Sequence, residues 1–223
     1  MNILITGASR GLGLELTRQY EARGETVFAA MRDTDGNIEA VKLDVTDQSS
    51  IAAAVKQVRG KTDSLDILIN NAGVLTTRGG RHMAEFGDLT ADEPEAIFRA
   101  NVIAPFMVAQ AFLELLQKSS QPRIVSITSG YGSVSSNDGS FPLWYAASKA
   151  ALNMGMRTAA AQLAKDNFTV AVISPGWVKT DMGGPGAPLT PEESVRGMIK
   201  VIDGLDPSKN GKFLNYDGRE VPW

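Results

Sequence analysis

Ile3-Leu4-Ile5-Thr6-Gly7-Ala8-Ser9-Arg10-Gly11-Leu12-Gly13 is the stretch that decides the fold. Its three aliphatic residues make a short buried strand. A glycine-rich turn follows, after which Leu12, Leu16 and Tyr20 recur at helical spacing until Gly24 ends the helix. Each glycine has its own use. Gly7 permits a tight strand-to-helix turn, Gly11 removes a side chain where a pyrophosphate would meet the backbone, and Gly13 lets the helix lie close to the sheet. The free amides at the helix start favour phosphate. The spacing is Gly-x3-Gly-x-Gly rather than Gly-x-Gly-x2-Gly. Its place after a strand, before a helix and at the head of a βαβ pattern is the context that such a turn requires.

Outward from that turn, strand-like runs alternate with helical patterns. Residues 26–30, 40–43, 65–69, 123–127 and 169–173 are the expected second to sixth strands, with a short seventh at 211–214. Asp47 is placed to cap a helix carrying Ile51, Val55 and Val58. A long helix over 92–118 is expected to bend near Pro105, whose ring removes a backbone donor. Helices over 145–165 and 191–202 complete the pattern, and 76–88 is a polar, glycine-rich loop. Strand–helix alternation means parallel crossovers. The expected fold is an α/β doubly wound parallel sheet of about seven strands with helices on both faces, Rossmann-type. No composition shift divides the chain, so residues 1–223 are expected to form one domain.

Composition narrows the function classes. Hydrophobic residues make up 43% and charged residues 21% of 223, which are ordinary globular values. The net charge is -3 and the sequence pI near 5.3, without a long basic stripe, so nucleic acid and anionic membrane are not expected partners. There is no cysteine, which excludes disulfides, thiolate catalysis and cysteine metal sites. His82 is the single histidine, set among Arg78, Gly79, Gly80 and Arg81, and is expected on an exposed loop. A histidine metal site or a Ser-His-Asp triad elsewhere is thereby excluded. The start of the chain lacks the basic residues and apolar length of a signal peptide. Apolar runs such as 102–109 fall short of a membrane span. A cytoplasmic protein is the expectation.

Further motifs follow strand ends in order: Asn70-Asn71-Ala72-Gly73, Tyr145-Ala146-Ala147-Ser148-Lys149 and Pro175-Gly176-Trp177-Val178-Lys179-Thr180. With the glycine loop, the chain resembles the short-chain dehydrogenase/reductase family over essentially its whole length. The stretch Gly211-Lys212-Phe213-Leu214-Asn215-Tyr216-Asp217-Gly218 and the pair Pro222-Trp223 resemble the sniffer-like and C-factor-like carbonyl reductase branch. The resemblance implies an oxidoreductase that moves a hydride between nicotinamide and a carbonyl or alcohol carbon. It implies a catalytic set of Asn101, Ser129, Tyr145 and Lys149.

Tyr145 and Lys149 are four apart on an expected helix and share a face. Lowering a phenol by about three pKa units takes roughly 4 kcal/mol. A unit charge at about 4 Å in an effective dielectric near 20 supplies that order. Lys149, helped by an oxidised nicotinamide, is therefore expected to tune Tyr145. Ser129 would donate to the substrate carbonyl oxygen. Its gap to Tyr145 is longer than the usual family spacing, which leaves Ser126 and Ser133 as rivals, while Thr128 should point the other way. Asn101 is a poor residue for a helix interior. In the family such an Asn distorts the helix and holds a water linking Lys149 to solvent.

On the cofactor side, the resemblance implies contacts from Gly7, Ser9, Arg10, Gly11, Leu12 and Gly13 to the phosphates and from Asp44 and Val45 to the adenine. Asn71, Ala72 and Gly73 would line the ribose. Pro175, Gly176, Val178 and Thr180 would hold the carboxamide side, with Tyr145 and Lys149 reaching the nicotinamide ribose. Arg32, just past the second strand, and Arg10 point to the 2′-phosphate and hence to NADP(H), with Asp33 as the complication one residue on.

The segment 177–189 holds Gly183, Gly184, Pro185, Gly186 and Pro188, a short substrate lid. Met182, Trp177, Phe141 and Trp144 are expected apolar walls for a small or flat ketone or aldehyde. Ala150, Met154, Ala161 and Phe112 put small and apolar residues on more than one helix face, which suggests a homodimer or homotetramer. Two other readings stand beside this one. One is a cofactor-bound regulatory or signalling protein of the same fold. The other is a sugar-nucleotide epimerase or dehydratase, disfavoured for lack of an added substrate domain.

Overall fold

The structure, a computed structural model, describes residues 1–34, 40–76, 86–87 and 89–223. His82 and most of the 76–88 loop lie outside the described residues. One parallel sheet of seven strands runs in the order β3-β2-β1-β4-β5-β6-β7. The strands are β1 (Asn2–Thr6), β2 (Thr26–Met31), β3 (Val41–Lys42), β4 (Ile67–Asn70), β5 (Arg123–Ile127), β6 (Thr169–Ser174) and β7 (Phe213–Asn215). The helices are α1 (Gly11–Ala22), α2 (Gln48–Arg59), α3 (Asp92–Phe98), α4 (Ala104–Leu116), α5 (Leu143–Leu163) and α6 (Pro191–Asp203). This is the doubly wound architecture that the alternation of elements implies.

Strand alternation divides the core in two. Ile3, Ile5, Ile67, Ile69, Val125 and Ile173 pack on one face with Leu16 and Tyr20 of α1 and Val195, Met198 and Ile202 of α6. Leu4, Leu68, Ile124, Val170 and Val172 pack on the other, against Ile51 and Val58 of α2, Val108, Phe112 and Leu116 of α4 and Leu152 and Met156 of α5. Each such large aliphatic side chain, fully buried, contributes about 1.5–3 kcal/mol relative to exposure. Two helix starts are locally written. Asp47 accepts from the Ser49 amide at α2, and Thr190 and Glu193 form a reciprocal capping box at α6.

Several boundaries differ from the sequence expectation. The third strand pairs over two residues only, Val41 and Lys42, because it is the edge strand. The seventh begins at Phe213, since Gly211 turns with φ 73°. The 92–118 helix is three pieces, with a π-helical turn over Arg99–Ile103 between α3 and α4. Ala104 there donates to the Arg99 carbonyl five residues back. Pro105 has no amide to offer the Asn101 carbonyl four residues back, so the α pattern fails in the turn before the proline. The pieces run on as a 25-residue rod with mean hydropathy 1.5, long and apolar enough by length and composition to cross a membrane. That corrects the expectation from shorter runs, which treated the apolar pieces separately. In this fold Val108, Phe112, Leu115 and Leu116 of the rod are buried against the sheet. Phe112, one of the apolar residues expected over more than one helix face, belongs to the face that covers the sheet.

β1 lies between β2 and β4, so successive crossovers leave it in opposite directions. A crevice opens outside the carboxyl ends of β1 and β4, where ligands bind in such sheets. The turn at its floor is tight. A Cβ on Gly13 would lie 2.2 Å from the Gly7 carbonyl oxygen and 2.5 Å from Asn71 Nδ2. Gly13→Ala is therefore expected to cost about 1–3 kcal/mol, a Tm loss of roughly 2–4 °C per kcal/mol. Gly186→Ala, where nothing lies within 4 Å, should leave Tm unchanged. Thermal melts compare the two, and equal Tm values would contradict the packing constraint.

Candidate active site

The glycine turn is held from the side by the β4 end. Thr6 Oγ1 accepts from the amides of Asn71 (3.0 Å) and Ala72 (3.1 Å). Asn71 Nδ2 donates to the carbonyls of Thr6 (2.9 Å) and Gly7 (3.1 Å). Gly7 and Gly11 have φ 67° and 55°, conformations that disfavour a side chain. Arg10 makes no side-chain cap on α1, and the first turn carries no acidic residue. The first intrahelical bond runs from the Leu14 amide to the Arg10 carbonyl, so the amides of Gly11, Leu12 and Gly13 have no helical acceptor. An open helix start beneath a turn with glycine at both left-handed positions fits the pyrophosphate of a dinucleotide.

Three charged groups border this turn. Arg32 is exposed and is the first residue past β2. Asp44 accepts from the Thr46 amide (2.9 Å) and hydroxyl (2.7 Å), and these bonds, more than nearby Arg32, hold its carboxyl below the usual range. Its carboxylate thus builds a local turn, and Val45 beside it packs on the core. Arg10 reaches over to Asp181, 171 positions away, with Nη1 and Oδ2 3.0 Å apart. Thr180 is also close, its Cγ2 3.6 Å from where a Gly11 Cβ would stand. Thr180 Oγ1 accepts from the Gly183 amide, and the Trp177 indole donates to the Gly183 carbonyl at 2.8 Å, so the 177–189 lid is a short self-bonded turn. Gly176, with φ 77°, and Pro175, whose carbonyl accepts from Ser194 Oγ, fix its base, and Val178 bridges Leu189.

The four residues expected to carry chemistry come together at the carboxyl ends of β4 and β5. Tyr145 and Lys149 lie one turn apart on α5, 8% and 5% exposed. Lys149 Nζ stands 5.6 Å from the Tyr145 ring centroid and donates to the Ile127 carbonyl at 2.9 Å. Ser129 follows β5, accepts from the Tyr131 amide at 3.2 Å, and lies near enough to Tyr145 to draw its phenol downward. Its rivals are occupied within the protein: Ser126 accepts from Asn70, and Ser133 donates to Ser136. Thr128 turns away and donates to Asn153 at 2.7 Å. Asn101, in the π-helical turn, accepts from the Val74 amide and donates to the Val74 carbonyl and Ser148 Oγ. A Cβ on Gly73 would sit 3.1 Å from Asn101 Oδ1 and 3.6 Å from Lys149 Nζ, so Gly73 is the gap through which these two approach.

Electrostatics corrects one expectation. Burial pushes the Tyr145 phenol up to about 12, against a smaller downward pull from nearby Ser129. Burial also draws the Lys149 ammonium down to about 8. Within the protein alone the lysine does not lower the tyrosine. Desolvation penalises the charged form of both groups more than their proximity offsets.

Two residues of the site were not singled out by the sequence patterns, the exposed Tyr131 and the fully buried Ser148. The Tyr131 ring stands edge-on to Tyr145, centroids 6.4 Å apart, and lies 4.4 Å from Phe141. Its position two residues after Ser129 was the available signal. Ser148, adjacent to Lys149, bonds the Tyr145 carbonyl and receives Asn101. Of the expected walls, Met182 places its sulfur 3.9 Å from the Tyr145 hydroxyl, while Trp177 is 59% exposed. Tyr131, Phe141, Val134 and Ala147 help line a cavity of about 690 Å³ beside the site, of which Trp144 is not a wall.

Comparison with known proteins gives consistent matches. The family profile described as short chain dehydrogenase matches residues 1–187. The C-signal of Myxococcus xanthus is 42% identical over 162 residues, 73% of this chain and 95% of that protein. An NADPH-bound carbonyl reductase from chicken fatty liver superposes with a TM-score of 0.90 at 34% identity, covering 100% of this chain and 98% of that one. The carbonyl reductase Sniffer of D. melanogaster gives 0.91 at 29% identity, covering 100% and 99%.

The lowered Lys149 makes a stability prediction. The folded protein binds this proton less tightly than the unfolded chain, whose lysine titrates near 10.5. Stability from this group therefore rises with pH between about 8 and 10.5, and the cost of burying the cation is full below that window. Lys149→Met removes the cost. The Tm of the variant minus that of the unmodified protein should fall steadily between pH 8 and pH 10. A difference independent of pH would mean that Lys149 is not held toward neutrality.

Proposed function

The chain belongs to the short-chain dehydrogenase family, and on that premise we propose that it is an NADP(H)-dependent carbonyl reductase, one domain holding both cofactor and substrate. The observation that carries the reading is the convergence of Ser129, Tyr145, Lys149 and Asn101 at the sheet edge that also presents the open amides of α1. Reduced nicotinamide, when bound, supplies a hydride to the carbonyl carbon. Tyr145 gives its phenolic proton to the carbonyl oxygen, and burial keeps the phenol in that proton-giving form, which favours reduction. Ser129 donates to the same oxygen as it gains charge. Lys149 loses its proton at about pH 8 and is suited to restore the phenol. Asn101 braces the turn beside it.

Arg32 and Arg10 are the proposed partners of the 2′-phosphate. Arg10 must leave Asp181 for it, and the magnitudes allow this. Both side chains of that pair are over three-quarters exposed, and such a pair is worth about 0–1 kcal/mol. A charge-assisted bond to phosphate is worth about 1.5–3 kcal/mol. The short lid and the Tyr131–Phe141 wall suit a small or flat apolar ketone or aldehyde. Ile103, Met107 and Met154 are exposed on the π-helical turn, α4 and α5, and this face is the proposed contact of a homodimer or homotetramer. A cytoplasmic location belongs to the same proposal.

A second reading is favoured by one observation, the similarity to C-signal: a cofactor-bound signalling protein with little turnover. NADPH absorbance followed across a panel of aldehydes, ketones and quinones separates the two. The reductase reading expects consumption with at least one compound. Tyr145→Phe should then lower turnover by ~10²–10⁴, with NADPH affinity little changed. Flat traces throughout, with tight NADPH binding, would favour the signalling reading, and near-normal turnover in Tyr145→Phe would remove Tyr145 as the acid. Cofactor choice is tested separately. Catalytic efficiency with NADPH should exceed that with NADH by at least about tenfold, on the scale of one charge-assisted bond. Arg32→Ala should lose most of that ratio and Asp33→Ala little. Equal efficiencies in the unmodified protein would overturn the assignment.

A further inference from the structure

The Pro222-Trp223 pair is left without a role by the chemistry above. After β7 the chain turns at Gly218, with φ 88°. It runs back along the sheet edge through the Asn215 amide to the Arg219 carbonyl and the Val221 amide to the Phe213 carbonyl, both 2.8 Å. This return brings the Trp223 indole against the buried Phe213 ring, centroids 5.6 Å apart, with the Arg157 guanidinium 5.0 Å from the ring centroid. Arg157 comes from α5, the helix of Tyr145 and Lys149. The indole is thus fixed by three elements: the sheet edge, α5 and its own hairpin.

What Trp223 holds is the loop between the two groups proposed to touch the carbonyl oxygen. The Trp223 carbonyl oxygen accepts from the Ser135 amide at 3.0 Å and from the Ser135 hydroxyl. Ser135 lies six residues after Ser129 and ten before Tyr145. On its inner side the loop is tied to α5 by Asn153, which donates to the Gly132 carbonyl at 3.1 Å. Among the described residues, Asn153 and Trp223 are the hydrogen-bond anchors of 130–141 to other elements, before Pro142 accepts from Ala146 at the start of α5. Tyr131, next to the Gly132 anchor, stands edge-on to Tyr145, and Phe141 at the far end of the loop packs on Tyr131 to extend that wall.

We propose that Trp223 is a positioning residue, holding the Ser129–Tyr145 loop through Ser135 so that the Tyr131–Phe141 wall is in place for the carbonyl substrate. The proposal rests on the reductase reading. Among the described residues, no backbone hydrogen bond joins 130–142 to the glycine turn at 7–13, so the effect falls on the carbonyl side. A loop freed at one anchor samples more conformations, and bound substrate must then supply the ordering free energy, which appears in KM.

Steady-state kinetics, NADPH titration and hydrogen exchange on the full chain test this. In Trp223→Ala, KM for a bulky aromatic ketone should rise about tenfold and for a small aliphatic aldehyde less than twofold. The kcat values and the NADPH Kd should stay within twofold. Trp223→Phe, which keeps a ring for Phe213 and Arg157, should restore KM. Ser135→Ala, which deletes one bond and no packing, should shift KM in the same direction by about twofold. Amides of 130–142 should exchange at least tenfold faster in Trp223→Ala, with those of α1 unchanged. Unchanged KM for the bulky ketone in a folded Trp223→Ala overturns the proposal, as does a loss shared equally by both substrates and NADPH. If Trp223→Ala does not fold, an unaltered KM in Ser135→Ala overturns it. If the unmodified protein consumes no NADPH with any carbonyl, the reductase reading fails, whereas loop exchange unaltered in Trp223→Ala counts against the anchor alone.

Discussion

The close approach of Gly13 to the Gly7 carbonyl, clamped by Asn71, is the constraint on which the other features depend. Because no side chain stands there, α1 starts directly on the end of β1 and lays Leu16 and Tyr20 on the sheet. Because Asn71 and Ala72 bond Thr6, the loop after β4 is locked to the same turn. That loop continues to Gly73 and Val74, and Val74 is what Asn101 grips from the π-helical turn. A chain of short contacts thus runs from the glycine turn through Val74 and Asn101 to Ser148, the neighbour of Lys149. The two sides of the crevice are therefore tied together.

Burial at Tyr145 and Lys149 works against stability and, on the proposed reading, in favour of chemistry. A fully solvated tyrosine and lysine titrate close together, near 10.0 and 10.5. Here desolvation holds the phenol up and the ammonium down, which drives the pair apart to about 12 and about 8. The tyrosine stays a neutral donor, and the lysine gives up its proton within reach of physiological pH. Functional sites commonly carry such a local cost, supported by the surrounding core.

Much of this was legible in the sequence, for identifiable reasons. The strands of the sheet interior are apolar on both faces, so Ile3-Leu4-Ile5 and Thr169–Ser174 stand out. Strand alternation separated Ser129 from Thr128, whereas Ser126 and Ser133 stood as rivals that only their hydrogen bonds to Asn70 and Ser136 set aside. The helix over 92–118 carried its irregularity in Pro105, yet the distorted turn lies upstream, since a proline removes the bond to the residue four before it. Which face Phe112 occupies was left open, because helical spacing alone does not say which apolar face meets the sheet. Arg10 and Asp181, 171 positions apart, form a pair that no local pattern announces. Tyr131 sits in a loop, where neither a 3.6- nor a 2-residue period assigns direction. The proton affinities of Tyr145 and Lys149 were likewise not legible, because spacing on a helix gives proximity and not burial.

The central claim is that this crevice delivers hydride to a carbonyl carbon while Tyr145 supplies the proton. A single turnover of the full chain with NADPH deuterated at the transferring position of the nicotinamide, and a carbonyl compound that it accepts, tests this most directly. The expected result is an alcohol with one deuterium on the former carbonyl carbon and an equal amount of NADP⁺, and almost no product in Tyr145→Phe. Bound NADPH that stays reduced with every carbonyl offered, or an alcohol without the deuterium, would contradict it.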